Sequence, residues 1–215
     1  MSLERIVCAN RENWLEARSL QGIGGSEAAA ACGMSPWMTP IELWKLKTGQ
    51  SAQKDISDNA AVARGVRMEG AIRNFFAASH PEFKVEYHQF DILFQTERPW
   101  LFATLDGELE AEDGRRGILE IKTASPNGKA GWEKWVNGNL PQNYYLQVLH
   151  QLLATGYDFA YLYAALYSMN GDVTLREYEI QRADVEEDLK WLLEKETEFF
   201  RHIQNRTLPP VPLTL

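Results

Sequence analysis

The clearest alternation of apolar and polar residues falls near the middle of the chain, at residues 117–122, which read GILEIK. The β-branched residues and the break at Ala124-Ser125-Pro126 predict a short strand. A period of two places Glu120 and Lys122 on one face of that strand, opposite Leu119 and Ile121. Charge on a strand that otherwise looks buried is costly unless it is paired, so these two residues need a partner or a function.

The same patterns divide the rest of the chain into helices and strands. Helical spacing predicts helices at about residues 10–20, 27–32, 40–48, 58–78, 141–155 and 183–204. Alternation predicts further strands at 83–87, 90–94, 101–106, 108–111, 159–167 and 173–180. This order indicates an α/β fold with a central sheet flanked by helices, and the length fits a single domain over residues 1–215.

Helical periodicity also predicts which side chains face the core. The helix at 58–78 is expected to bury an apolar stripe made of Val62, Val66, Ile72, Phe75 and Phe76. The first helix is expected to turn Trp14 and Leu15 inward, and the last helix to keep its acidic residues outside.

Composition and charge change this picture little. Apolar residues make up 45% of the chain, no 18-residue apolar run is present, and the N-terminus lacks a signal-peptide core, so we expect a soluble cytoplasmic protein without a membrane partner. Cys8 and Cys32 form no disulfide framework, and the four histidines show no zinc spacing. The net charge of −8 weighs mildly against nucleic-acid binding. However, residues 177–198 hold nine acidic and three basic side chains, so the remaining surface is closer to balance.

Several polar residues are candidates for chemistry. Asp106, at a strand end, and Glu120 are suitable ligands for a hard divalent cation, with Lys122 orienting a water or neutralising phosphate charge. A salt-bridged edge strand explains the same residues equally well. The glycine-rich turn at residues 22–26 is either a phosphate site at a helix N-terminus or a tight turn capped by Ser26. Glu69 is either functional or part of a solvated helix face.

The spacing of Asp106 and Glu120-Ile121-Lys122, with thirteen residues between them, resembles the PD-(D/E)XK nuclease signature. Three further segments are similar to the YqaJ viral-recombinase group, which includes the phage lambda-type alkaline exonucleases. They are the turn at 22–26 with residues 35–40, Arg64-Gly65 with Glu69-Gly70, and the segment 144–150. The resemblance runs from about Gly22 to the final helix.

The resemblance implies a restriction-endonuclease-like core and a 5′→3′ exonuclease that resects one strand of linear double-stranded DNA. It implies a magnesium cofactor, as two ions, with manganese able to substitute. The 3′ overhang would serve recombination through a single-strand annealing protein. The resemblance also implies a ring-shaped homotrimer, which fits aromatic residues expected at exposed positions, namely Trp37, Trp132 and Trp135.

The resemblance assigns roles residue by residue. Asp106, Glu120 and the main-chain carbonyl of Ile121 would bind metal, and Glu69 would contribute to the metal shell or orient the attacking water. Lys122 would position or deprotonate that water, with Gln147 holding Lys122 and the scissile phosphate. The remaining assignments concern the 5′-phosphate, which would contact Ser26, Gly25 and a basic residue, either Arg18 or Lys129.

Neither basic residue matches the family pattern fully. Arg18 lies one position from the aligned slot, which holds Ser19, and Lys129 cannot bind a phosphate bidentately as arginine does. Two other functions remain open from the sequence. One is a structure- or sequence-dependent DNA endonuclease on the same core, and the other is an inactive nuclease-fold DNA-binding protein.

Overall fold

The computed structural model describes residues 2–52 and 58–210. Within these ranges no helix is both long enough and apolar enough to cross a bilayer. The helices are α1 (Arg11–Gln21), α2 (Ala28–Ala31), α3 (Pro40–Lys47), α4 (Ala60–Ser79), α5 (Gly128–Glu133), α6 (Gln142–Thr155) and α7 (Glu186–Asn205), with 3-10 turns at Gly25–Glu27 and Arg182–Val185. The strands are β1 (Leu3–Val7), β2 (Ile23–Gly24), β3 (Phe83–Glu86), β4 (Asp91–Gln95), β5 (Leu101–Ala103), β6 (Gly107–Ala111), β7 (Arg116–Ala124), β8 (Phe159–Tyr167) and β9 (Val173–Gln181).

The strands form two mixed sheets flanked by helices, which confirms the α/β class. The larger sheet has the order β3-β6-β7-β8-β9, in which β7 and β8 run parallel and the other neighbours antiparallel. The smaller sheet has the order β1-β4-β5-β2. The sequence predicted one central sheet and missed β1, a short edge strand whose side chains are mostly exposed.

Strand β7, at the centre of the larger sheet, is covered on both faces. Leu119 and Ile121 pack in one apolar cluster with Ile72 and Phe76 of α4. Ile118 packs in a second cluster with the buried side of α6. Because successive side chains alternate, Glu120 points to the same side as Ile118, toward α6 rather than toward solvent. The predicted alternation is therefore confirmed, and both faces are interior.

Local signals set the ends of the helices that frame this sheet. Thr39 and Glu42 form a reciprocal capping box at the start of α3, with Pro40 in the first turn. Gly156 ends α6 in the left-handed conformation, at a φ of 74°, as a residue without a Cβ can do at little cost.

The predicted inward face of α4 is wrong over the first half of the helix and at Phe75. Ile72 and Phe76 are buried, but Val62 and Val66 are exposed, Val66 at 72%, and Phe75 in the second half is 54% exposed. The apolar side chains of α4 that pack on β6–β8 lie in its second half. The first half lies beside an open cleft, which Val62 and Val66 line. Helical periodicity finds the apolar face but not the point at which the sheet beneath it ends.

Two other burial predictions are also wrong. Leu15 is exposed, because the side of α1 that carries Trp14 and Arg18 faces the same cleft rather than the core. Trp135, expected at the surface, is only 4% exposed and packs in the cluster around α6, whereas Trp37 is 81% exposed as expected. The aromatic argument for an oligomer is therefore reduced.

The acidic helix α7 turns one carboxylate inward, against the prediction. Glu196 is completely buried, and its Oε1 lies 2.7 Å from Nδ1 of His150 on α6. Nε2 of His150 donates to the main-chain oxygen of Phe102 in β5, at 2.9 Å. A carbonyl oxygen and a carboxylate oxygen on the two ring nitrogens favour the imidazolium form of His150. Burial alone would lower the pKa of His150, but Glu196 and the Phe102 carbonyl outweigh it and raise the pKa. This ion pair joins α6 to α7 and β5.

The raised pKa of His150 predicts how the free energy of unfolding depends on pH. The contribution of His150 is fully present below the unfolded pKa of about 6.5 and is lost as pH rises through the higher folded pKa. In urea unfolding from pH 6 to 10, we expect His150→Gln to destabilise the protein by about 3–5 kcal/mol at pH 6, with the difference shrinking at higher pH. His202→Gln, which changes a partly exposed ring beside Thr207, is the control. A difference that is constant across this range would contradict the charged pair.

Candidate active site

The carboxylate of Glu120 is the most enclosed charge of the candidate site, at 2% exposure. Its Oε1 accepts a hydrogen bond from Nε2 of Gln147 at 2.6 Å and forms an ion pair with Nζ of Lys122 at 2.5 Å. Its Oε2 accepts from Nε2 of Gln151 at 2.6 Å. Three donors from β7 and α6 thus stabilise one buried charge.

Asp106 reaches the same place from the neighbouring strand. Gly107 of β6 pairs with Leu119 of β7 in antiparallel register, so the residue before Gly107 comes level with Glu120. Oδ2 of Asp106 accepts a hydrogen bond from the main-chain nitrogen of Ile121 at 2.8 Å. The DG pair and the EIK segment, distant in sequence, therefore meet at one edge of the β6–β7 pair.

Glu69 of α4 joins this group through Arg73, one turn further along the helix. Nη2 of Arg73 lies 2.5 Å from Oε1 of Glu69, and its Nε donates to the main-chain oxygen of Asp106. The ring of Tyr87 stacks under the guanidinium, 3.6 Å from its central carbon. The alternative of a solvated helix face is wrong in its exposure, since Glu69 and Arg73 are both partly buried, although Glu69 does pair within its own helix. The pair is nevertheless directed at the site.

Burial and the neighbouring charges together shift the pKa values of Asp106, Glu69 and Lys122. Burial, and then the charge of Glu120, raises the pKa of Asp106 well above its usual range. Burial likewise raises the pKa of Glu69. Burial alone would lower the pKa of Lys122, but Glu120 and Asp106 outweigh it and the pKa is raised, so the side chain is an ammonium at neutral pH. Asp106, Glu120 and Glu69 act on one another electrostatically, with Lys122 and Arg73 as nearby cations, so the site is electronegative.

The donors present fit a hard divalent cation. Asp106, Glu120, Glu69 and the main-chain carbonyl of Ile121 offer oxygen ligands only. Over residues 2–52 and 58–210, no three His, Cys, Asp or Glu side chains are grouped closely enough to hold an ion by themselves. Magnesium tolerates such a site, because it binds through one or two carboxylates and keeps several waters. A softer metal such as zinc does not match these donors.

The site opens into a cleft of about 890 Å³. Its walls hold most of the residues predicted from the sequence, namely Arg18, Gly25, Ser26, Glu69, Asp106, Glu120, Ile121, Lys122 and Gln147. Lys129 does not line this cleft; it is 92% exposed on α5, with Glu133 at 3.7 Å. The side chain of Ser19 lies outside the described residues.

Arg18 is a largely buried cation in the wall of this cleft. Its Nη1 donates to Oγ1 of Thr104 at 3.2 Å, and its guanidinium stacks on Trp14 at 4.4 Å. Burial lowers the pKa of Arg18, yet an arginine stays charged. No carboxylate of the described chain lies within ion-pair distance of Arg18. A largely enclosed charge that has a hydroxyl and aromatic rings at close range, with the carboxylate of Glu27 acting only from beyond ion-pair distance, is well placed to receive an anionic ligand.

The glycine-rich turn lies next to Arg18 but forms no long helix. A 3-10 turn at Gly25–Glu27 leads into α2, which has only four residues. The main-chain nitrogen of Gly24 donates to Oε2 of Glu27 at 2.8 Å, so that amide already has an acceptor. Ser26 is exposed at the cleft and does not cap the turn. Any anion held here would therefore depend on side chains more than on a helix dipole.

Three contacts around the site went unassigned in the sequence. Gln151 holds the second oxygen of Glu120, Arg73 links Glu69 to Asp106, and the ring of Tyr144 lies 5.2 Å from Nζ of Lys122. Gln151 carried a signal, because it follows Gln147 by one helical turn on the same face. Tyr144 belongs to the segment 144–150 that resembles the family, but nothing in the sequence gave a role to Tyr144 or to Arg73.

Residues 13–158 match the YqaJ-like viral recombinase domain, which is more than half of the chain. The chain belongs to this family. It is also 31% identical to the protein YqaJ of Bacillus subtilis (strain 168) over 157 residues, which are 73% of this chain and 46% of that protein. The chain thus spans about half the length of that curated relative.

Two solved structures share the fold of this family member. An alkaline exonuclease from Laribacter hongkongensis, LHK-Exo, matches with a TM-score of 0.64 at 19% identity, over 91% of this chain and 93% of that chain. The same enzyme in complex with dAMP matches with a TM-score of 0.60 at 20% identity, with the same coverage. These matches support the nuclease-type α/β fold predicted from the sequence, and they extend over strands and helices beyond residue 158.

Proposed function

We propose that this chain is a metal-dependent deoxyribonuclease that digests one strand of linear duplex DNA in the 5′→3′ direction. The observation that carries the proposal is the convergence of Asp106, Glu120 and Lys122 in one cleft with the buried cation Arg18. Carboxylates that can hold a metal ion, an ammonium and an anion-binding arginine suit phosphodiester hydrolysis at a strand end. The family and the fold shared with LHK-Exo support the same chemistry.

The carboxylates Asp106 and Glu120, with the carbonyl of Ile121, would hold magnesium or manganese, and Glu69 would complete the shell directly or through water. When bound, one or two such ions neutralise phosphate charge and lower the pKa of a coordinated water. The protein supplies the rest. Arg73 fixes Glu69 against the Asp106 main chain, and Gln147 fixes Glu120.

Lys122 would act mainly as a positioning cation. Its raised pKa means that it carries a proton at neutral pH, so it donates hydrogen bonds to the attacking water and the scissile phosphate rather than starting as a base. The face of Tyr144 beside its ammonium limits where that group can move. Gln147 would support Lys122 indirectly, since its contact is with Glu120.

The 5′-phosphate would bind between Arg18, Ser26 and the main chain at Gly25. Arg18 offers a planar fork of donors for a phosphate, and its position in the cleft makes it a better candidate than the exposed Lys129. The Ser26 hydroxyl, exposed at the cleft, adds one donor. An endonuclease has no need of such a subsite, so the buried Arg18 favours end-dependent digestion over the endonuclease and over an inactive DNA-binding protein.

We also propose a role in phage-type recombination, in which a single-strand annealing protein takes up the 3′ overhang. The support is the recombinase family to which the chain belongs. A homotrimeric ring is part of the same proposal. Among the aromatic residues considered from the sequence, Trp37 is the one that stays strongly exposed and lines the cleft mouth.

Removing either charged group of β7 should abolish digestion without unfolding the chain. We expect Glu120→Gln and Lys122→Ala to lower turnover on linear duplex DNA by about 100-fold or more, since several kcal/mol of transition-state stabilisation are lost. Release of acid-soluble nucleotides measures turnover, and circular dichroism monitors the fold. Lys129→Ala, which removes an exposed lysine outside the cleft, should be unchanged. Near-normal turnover in either β7 variant would contradict the site.

The 5′-phosphate subsite predicts a preference among DNA ends. Duplexes with a 5′-phosphate should be digested faster than 5′-hydroxyl duplexes by the unmodified protein. Ser26→Ala should reduce the preference for 5′-phosphate ends, expressed as a difference in activation free energy, by about 1–2 kcal/mol, because one hydrogen bond to a charged group is lost. Arg18→Lys keeps the positive charge but loses the paired N–H donors of the guanidinium, so it should reduce the preference for 5′-phosphate ends further. Equal initial rates on both kinds of end would refute the subsite and leave the metal site untouched.

A further inference from the structure

Gln151 is buried beside the active site, and only half of its amide is satisfied. The residue is 1% exposed, and its Nε2 donates to Oε2 of Glu120 at 2.6 Å. Its Oε1 is buried and has no hydrogen-bond partner among the described residues. A buried acceptor without a partner destabilises a fold, and an apolar side chain of similar size would avoid that cost. The hydrogen bond from Nε2 to Glu120 is therefore the reason for an amide at this position.

The two glutamines of α6 donate hydrogen bonds to different oxygens of one carboxylate. Gln147 donates to Oε1 of Glu120, and Gln151, one turn later, donates to Oε2. Two donors fixed on one helix face determine both the position and the rotation of the carboxylate plane. Lys122 also contacts Oε1, but it is a flexible cation, and a metal ion bound at Glu120 would compete with it. The neutral amides hold the carboxylate without adding positive charge.

The positions of the two glutamine side chains are fixed by their packing neighbours. A Cβ at Gly25 would come within 3.3 Å of Cγ of Gln151 and 3.4 Å of Cγ of Gln147, so the glycine turn packs directly on both side chains. Between them on α6, His150 is tied to Glu196 and to the Phe102 carbonyl. The helix cannot rotate or slide without breaking these contacts, and so the amide of Gln151 stays at a fixed distance from Glu120.

We propose that Gln151 is a positioning residue that fixes the cation-binding orientation of Glu120 through its hydrogen bond to Oε2. The inference rests on the proposed function, because the cation is the cofactor of the proposed nuclease. Without the Gln151 amide, the Glu120 carboxylate rotates about its last bond and presents its free lone pairs to the cleft only part of the time. Cation affinity and turnover then fall together, whereas DNA binding in the absence of a cation does not change.

The test measures cation binding apart from activity. Mn²⁺ binding to the DNA-free protein is followed through the electron paramagnetic resonance signal of free Mn²⁺, and DNA binding is measured in EDTA. We expect Gln151→Met to weaken Mn²⁺ binding by about 10-fold or more, as the loss of a residue that orients a metal ligand does. We expect kcat to fall by a similar factor, with KM for DNA and DNA affinity in EDTA within about twofold of the unmodified protein. Gln151→Asn retains an amide, but its side chain is one methylene shorter and cannot reach Glu120. We expect the same losses in this variant, which replaces Gln151→Met in the test if the Met variant does not fold.

Thr155→Val is the matched control. Thr155 is buried one turn beyond Gln151 on α6, and its hydroxyl donates to the main-chain oxygen of Gln151 without touching Glu120. This variant damages the same helix but should bind Mn²⁺ normally. Unchanged Mn²⁺ binding in both Gln151 variants, or an equal loss in Thr155→Val, would overturn the positioning role alone. If the unmodified protein neither binds Mn²⁺ nor digests linear DNA, the proposed nuclease centre is overturned, and the positioning role with it.

Discussion

The carboxylate of Glu120 is a negative charge inside a protein core, and the elements around it are arranged to stabilise it. A buried carboxylate without partners would be far too costly for a domain of this size. Gln147, Gln151 and Lys122 provide the donors, and the first two must lie on one face of one helix. That requirement fixes how α6 is rotated against β7. A second buried charge pair, His150 with Glu196, also ties α6 to its surroundings.

The charge balance around Glu120 links this arrangement to a function. Asp106 and Glu69 bring two more carboxylates close to it, while Arg73 and Lys122 bring two cations that already have partners. If stability were the only constraint, the charges here would be paired, or apolar residues would stand in their place. An electronegative pocket that opens into a cleft, with a buried arginine in its wall, instead suits a cation and a phosphate bound together. A bound cation would balance the excess negative charge of the carboxylates, and a bound phosphate would balance the positive charge of the arginine.

Local chemistry made much of this predictable from the sequence. The strand at 117–122 and the end of α6 near residue 155 depend on neighbouring residues and were found where expected. Asp106 and Glu120, which the sequence suggested as ligands of one cation, lie side by side because the antiparallel register of β6 and β7 brings them level.

The rest depends on contacts between distant segments. Val66 has the same helical spacing as Phe76, yet only Phe76 has a sheet beneath it. Glu196 looks like its acidic neighbours on α7 until His150 is placed opposite to it. Arg18 looks like any charged helix residue, and its significance lies in the cleft wall and the absence of a carboxylate partner in the described chain. Periodicity gives the face of a helix, whereas the packing partner decides whether that face is core, cleft or solvent.

The most direct measurement of the account compares a linear duplex with the same DNA as a covalently closed circle, each with magnesium and with EDTA. A nuclease centre that is fed from a 5′-phosphate subsite should shorten the linear duplex progressively when magnesium is present. It should leave the closed circle intact, and it should do neither in EDTA. Nicking of the circle at a rate comparable with digestion of the linear duplex, or digestion that persists in EDTA, would contradict the account.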